Sequence, residues 1–132
     1  MILVDSSVLL DVFDKDPVWL DWSLTHLRHS AIRDELAINP IVYAEISPRF
    51  PTPAELDELL DEMEIRVLAI PRTAAFLAGK AFVYYRLQGG SRANVLPDFF
   101  IGAHALVLGC SLLTRDTRRY ATYFPRLPLI AP

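Results

Sequence analysis

Four acidic residues stand beside or just past the strands that this sequence predicts: Asp5, Glu45, Asp98 and Asp116. Their segments, MILVD, AINPIVYAE, VLPDFFIGAHA and CSLLTRD, are otherwise apolar. Apolar segments bury themselves, and a bare carboxylate among them is costly unless a cation or strong donor faces it. Carboxylates with no nearby histidine or thiol suit a hard, oxygen-seeking ion such as magnesium or manganese, and do not suit zinc. Such an ion turns water into a nucleophile and steadies a departing oxygen, so the chemistry implied is phosphodiester hydrolysis. Without metal the gathered acids repel one another, and some should keep protons well above the usual acidic range. Metal should then stabilise the fold as well.

Alternating strands and helices must position these groups. MILV at 1–4 is a short apolar run and reads as a central strand, with Asp5, Ser6 and Ser7 capping a helix through VLLDVF. Pro17 is expected to open a second helix with Trp19, Leu20, Leu24 and Leu27 on one stripe. LAIN at 36–39 is the second strand, and Pro40 starts a helix that carries Glu45. Pro48, Pro51 and Pro53 make a loop, followed by the helix PAELDELLDEME and a third strand, IRVLAI, at 65–70. A long helix is predicted from Thr73 to Leu87, then a break at Gly89-Gly90-Ser91. VLPDFFIGAHALVLG forms the next helix, with Pro97 in its first turn and Gly109 at its end. CSLLT is the fourth strand, RDTRRYATY a short helix, and LPLIA an edge strand. This alternation means a parallel sheet covered on both faces, α/β in class. Ligands of such sheets bind at the carboxyl ends of the strands. Asp5 and Asp116 fall there directly. Asp98 joins them only if the glycine-rich loop returns its helix start to that side, which spacing alone does not establish.

Bulk properties agree. The chain has 132 residues, 52% of them hydrophobic, and a net charge of -3. That fits one domain, 1–132, with a sizeable core, and argues against a protein that coats nucleic acid through a general positive field. Cys110 is alone, so no intrachain disulfide forms and a reducing compartment is expected. The start MILVDSS has no basic n-region, and the longest apolar stretch, 99–113, is too short to span a bilayer. The expectation is a soluble, cytoplasmic protein.

Taken in order, VDSSVLLD, the glutamate in INPIVYAEI, the block LPDFFIGAHAL and the tail LLTRDTRRYATYFPRLPLI resemble a PIN-domain ribonuclease, most closely the VapC toxins of bacterial toxin–antitoxin pairs. The resemblance covers nearly the whole chain. It implies a three-layer α/β/α sandwich with a central parallel sheet. It also implies a metal-dependent endoribonuclease using Mg2+ or Mn2+, with Asp5, Glu45, Asp98 and Asp116 as the acids of the metal site. By position, Ser7 and Thr114 become supporting polar residues, and Asp98 is expected to reach the cluster. The implied partners are an RNA substrate, a homodimer mate and a cognate antitoxin.

Plainer readings stand beside these. Asp5 alone reads as a helix cap, Asp98 as a helix-start acid favoured by the dipole, and Glu45 as part of a solvated face. Asp116 could be a turn residue, or hold metal through water. His104 lies six residues past Asp98, shares no helical face with it, and reads as a core histidine. Asp11 and Asp14 are expected to be exposed. Arg86, Arg92 and Arg115 could hold RNA phosphates at the rim; ordinary surface charge is the alternative. One of Trp19 and Trp22 could line a groove for a partner helix. A PIN-like module that binds RNA or protein without cutting is the competing function. A phosphatase or receiver domain fits poorly, because the first strand gives DSS and the third ends without an acid.

Overall fold

The computed structural model describes residues 1–90 and 95–132. Ser91 and Arg92 lie outside the described residues. Among the described residues, five strands form one parallel sheet in the order β3-β2-β1-β4-β5. They are β1 (Ile2–Val4), β2 (Leu36–Ile38), β3 (Ile65–Val67), β4 (Ser111–Leu113) and β5 (Leu129–Ile130). Among the described residues, seven α-helices connect them: α1 (Ser6–Phe13), α2 (Leu20–Arg33), α3 (Pro40–Ile46), α4 (Pro53–Glu62), α5 (Arg72–Leu87), α6 (Leu96–Leu108) and α7 (Thr117–Tyr123). The result is the three-layer α/β/α sandwich.

The apolar run at the start of the chain behaves as its composition requires. Ile2, Leu3 and Val4 are all buried, and β1 is the middle strand. Its register sets the site. Val4 pairs with Leu113, so the residues that follow, Asp5 and Thr114, leave the sheet at the same level. The Asp5 amide donates to the Leu113 carbonyl at 2.9 Å. The strand order changes direction between β1 and β4, and a crevice opens at such a switch point.

Local chemistry fixes the helix ends nearby. Asn39 ends β2 and caps α3, its side-chain oxygen accepting from the amides of Ile41 and Val42 at 3.0 Å each, with Pro40 following it. Gly109 closes α6 at φ 67, the left-handed position glycine favours there. Gly102 lets α6 and α7 approach closely: a Cβ there would lie 2.7 Å from the Phe124 ring and 3.1 Å from the Tyr120 ring.

Some boundaries differ from the sequence expectation. The second helix starts at Leu20, not Pro17, because the Asp16 carboxylate accepts from the amides of Val18 and Trp19 and holds a turn before it. Pro53 opens α4, capped by Thr52, where the helix PAELDELLDEME was expected to begin. Only Ile65–Val67 of IRVLAI pairs, as the edge strand β3. Among the described residues, no helix is long and apolar enough to cross a membrane.

Candidate metal-binding active site

Asp5 occupies the N-cap position of α1, yet its side chain makes no cap bond. The carboxylate turns instead into the crevice, 4% exposed. Its Oδ2 accepts from Thr114 Oγ1 at 2.7 Å and from Ser7 Oγ at 3.1 Å. Thr114 is fully buried, and its hydroxyl also accepts from the Asp116 amide at 3.0 Å. One threonine therefore aims Asp5 and fixes the backbone of Asp116. These bonds decide against the simple capping reading of Asp5.

Glu45 is half-buried on α3, and its Oε1 accepts from Ser6 Oγ at 3.0 Å. Asp98, in the first turn of α6, is paired with Arg119 of α7. Asp116 lies at the exposed rim.

The acids act on one another electrostatically. Burial pushes the Asp98 carboxyl up to about 7; the charge of Asp5 adds to this, Arg119 opposes it, and Glu45 adds further. Burial likewise raises Asp5, against the hydrogen bonds from Thr114, Ser7 and the Ser6 amide, with Asp116 adding to the rise. Glu45 is raised by burial, opposed by Ser6 and assisted by Asp5. The Asp98–Arg119 pair puts the start of α6 against α7, and Tyr85 near the end of α5 lines a cleft with Asp116 and Arg119.

Among the described residues, no three His, Cys, Asp or Glu side chains are drawn in to metal-ligand spacing. This is compatible with the coupling. Asp5 and Glu45 are held by hydroxyls and Asp98 by the Arg119 guanidinium, so each of these three side chains is tied to its own partner. The donor chemistry fits a hard divalent ion: it is all oxygen, negatively charged and largely withdrawn from water. One more observation supports the fit. The Tyr120 side chain is buried on α7, one turn past Asp116, and its hydroxyl finds no hydrogen-bond partner among the described residues.

Three further residues complete the surroundings. Asp11 was expected to be exposed; it is 2% exposed. Its Oδ2 accepts from Ser23 Oγ at 2.7 Å and from Arg115 Nε at 2.8 Å, and the Arg115 guanidinium lies over the Trp19 ring at 5.5 Å. An acid inside the amphipathic α1 gave no sign of a partner so distant in the chain. Tyr120 and Arg119 sit one turn past Asp116 on α7, a spacing that could have marked them as facing the same crevice. Arg86 is exposed in the last turn of α5. Trp22 stacks on His26 at 4.2 Å, and Asp14 is exposed as expected, paired with Arg49. His104 is buried, and its Nδ1 accepts from Asn39 Nδ2 at 3.2 Å.

Beside Asp116 opens a cleft of about 500 Å³, lined by Tyr85, Arg118, Arg119, Thr122 and Tyr123. A larger one, about 1010 Å³, lies at the starts of β2 and β3 and is lined by none of the four acids. Chemistry, not size, marks the first as the approach to the site.

The family model for the PIN domain matches residues 2–125. Among solved structures, the chain is similar to one in VapBC2 from Rickettsia felis bound to a DNA fragment from its promoter, at 21% identity and TM-score 0.74, covering 100% of this chain and 99% of that one. It is similar to one in VapBC-1 from nontypeable Haemophilus influenzae, at 23% identity and TM-score 0.72, covering 99% and 98%. It is also similar to one in a toxin-antitoxin complex from Klebsiella pneumoniae, at 20% identity and TM-score 0.72, covering 98% and 96%. At these identities the likeness is one of fold. No curated protein sequence matches the chain.

Proposed function

The chain belongs to the PIN domain family, and from that premise and its carboxylate crevice we propose that it is a divalent-metal-dependent endoribonuclease, the toxin of a toxin–antitoxin pair. What supports this reading is that Asp5 follows the central strand β1, that the charges of Asp5 and Glu45 press on the half-buried Asp98, and that Asp116 stands at the exposed rim after β4.

In this reading Asp5, Glu45 and Asp98 hold the ion, and Asp116 reaches it directly or through water. A bound Mg2+ or Mn2+ supplies the charge that activates water and steadies the leaving oxygen. The protein's own groups do the rest. Thr114 and Ser7 fix the Asp5 carboxylate in one orientation, and Ser6 does the same for Glu45. Arg119 pairs with Asp98 and holds its guanidinium beside the site, where it would serve a phosphate if an ion took the carboxylate. Arg115, held by buried Asp11 through Nε, keeps its two terminal nitrogens for a phosphate at the rim. Arg86 and Arg92 are proposed as further phosphate contacts.

The similar chains belong to VapBC and toxin-antitoxin complexes. We extend that assembly to this chain, with a cognate antitoxin and a homodimer mate as partners, in the cytoplasm. The test is cleavage of structured RNA by purified protein. Activity should require Mg2+ or Mn2+ and be abolished in Asp5→Asn and Asp98→Asn. Expression of the chain alone should arrest growth, and Asp98→Asn should not. Full cleavage in excess chelator would defeat the metal-dependent mechanism. Tight RNA binding without cleavage under any metal would favour the silent binding module.

A further inference from the structure

The Tyr120 hydroxyl is the feature that the reading above leaves unused. Its side chain is 1% exposed, on α7 one turn after Asp116. The ring is seated against Gly102 of α6, where a Cβ would come within 3.1 Å. The hydroxyl has no partner among the described residues, although a buried polar group normally has one. Gly102 lies one turn past Asp98 on α6 and Tyr120 one turn past Asp116 on α7, so the ring that carries the orphan hydroxyl is packed between the helices of these two acids; burial pushes its phenol well above the usual range, and the charges of Asp5, Asp98, Asp116 and Glu45 add to the rise. A native orphan of this kind calls for an unseen partner, such as a water or an ion.

We propose that Tyr120 is a positioning residue of the metal site, its hydroxyl hydrogen-bonding within the hydration shell of the ion that the four acids hold. This rests on the metal-site reading above and deepens it. A hydroxyl suits the task because it accepts and donates at once: it can accept from a hydrating water and donate to a carboxylate. Groups in this outer position orient the ligands, and their loss typically weakens metal affinity about 10–100-fold. Phenylalanine would keep the ring and its packing on Gly102 while removing only the oxygen.

The consequence is an opposite effect in the two states. Without metal, Tyr120→Phe removes a buried hydroxyl that has no partner, so the variant should melt at the same temperature as wild type or higher. With metal it loses a hydrogen bond, so its affinity should fall. The experiment is calorimetric titration of Mn2+ into wild type and Tyr120→Phe, with melting curves of both in chelator and in saturating Mn2+. The expected result is Mn2+ binding weaker by about tenfold or more, a smaller metal-induced rise in melting temperature, and no loss of stability in chelator. Equal Mn2+ affinity in the two proteins overturns the proposal. A variant that is destabilised in chelator as much as in Mn2+ also overturns it, by showing a packing role only. If wild type itself takes up no Mn2+, the metal-site reading fails first, and that outcome is distinct from the other two.

Discussion

Replacing Asp98 by asparagine should make the metal-free protein more stable at alkaline pH, although it removes an ion pair. In the unfolded chain the Asp98 carboxyl ionises near 3.8; in the folded protein it is pushed up to about 7. Between those values the unfolded state releases a proton that the folded state retains, so ionisation favours unfolding. Stability from this group is therefore greatest below the unfolded value, declines as pH rises toward 7, and is flat beyond. A shift of about three units at about 1.4 kcal/mol each sets a ceiling of about 4 kcal/mol. Asp98 retains 21% exposure and can relax toward water, so about 2 kcal/mol is the reasonable expectation. An asparagine in its place is nearly isosteric and has no such slope. Asp5 and Glu45 titrate with Asp98 as a coupled set, so the difference between the two proteins is the quantity to read. Urea unfolding in chelator at pH 4 and pH 8 measures it. The difference, Asp98→Asn minus wild type, should rise by about 2 kcal/mol across that range, against a total stability of about 5–15 kcal/mol for a domain. A difference that stays constant with pH, or falls, would refute the account of a desolvated carboxylate pressed by its neighbours.

Other consequences are simpler to measure. Asp11→Ala leaves Arg115 and Ser23 without their shared acceptor, and should cost about 3 kcal/mol by thermal or urea unfolding; under about 1 kcal/mol would mean the buried pair contributes little. Gly102→Ala forces a methyl against Phe124 and Tyr120 and should cost about 1–3 kcal/mol, read from the same unfolding curves. Arg115→Gln should reduce RNA affinity measured in chelator and lower the slope of log affinity against log salt by about 0.7, the loss of one single-strand phosphate contact. An unchanged slope would remove Arg115 from the RNA interface.

Much of this arrangement was readable in the chain. Short apolar runs ending in Asp5, Asn39 and Thr114 predicted a parallel sheet, because a strand buried on both faces has no polar alternation to show. Pro40, Pro97 and Gly109 marked helix ends for reasons that survive in the structure. What spacing could not supply was anything made by distant contact. Asp11 reads as a solvated helix acid until Arg115 arrives from the far end of the chain. Asp98 needed the packing of α5 and α6 to bring its helix start to the right edge. Tyr120 looked like an ordinary aromatic of a short helix, since an orphan hydroxyl becomes visible only when the neighbours are in place. The start of α2 shifted because Asp16 competes for the amides that the helix would have used.

The claim beneath all of this is that carboxylates separated along the chain share one cation. Anomalous diffraction from crystals soaked in Mn2+ tests it most directly. A peak in the crevice, in contact with Asp5 and at least one of Glu45 and Asp98, is the predicted result. A saturated crystal whose manganese lies elsewhere, or touches only one of these acids, would contradict it.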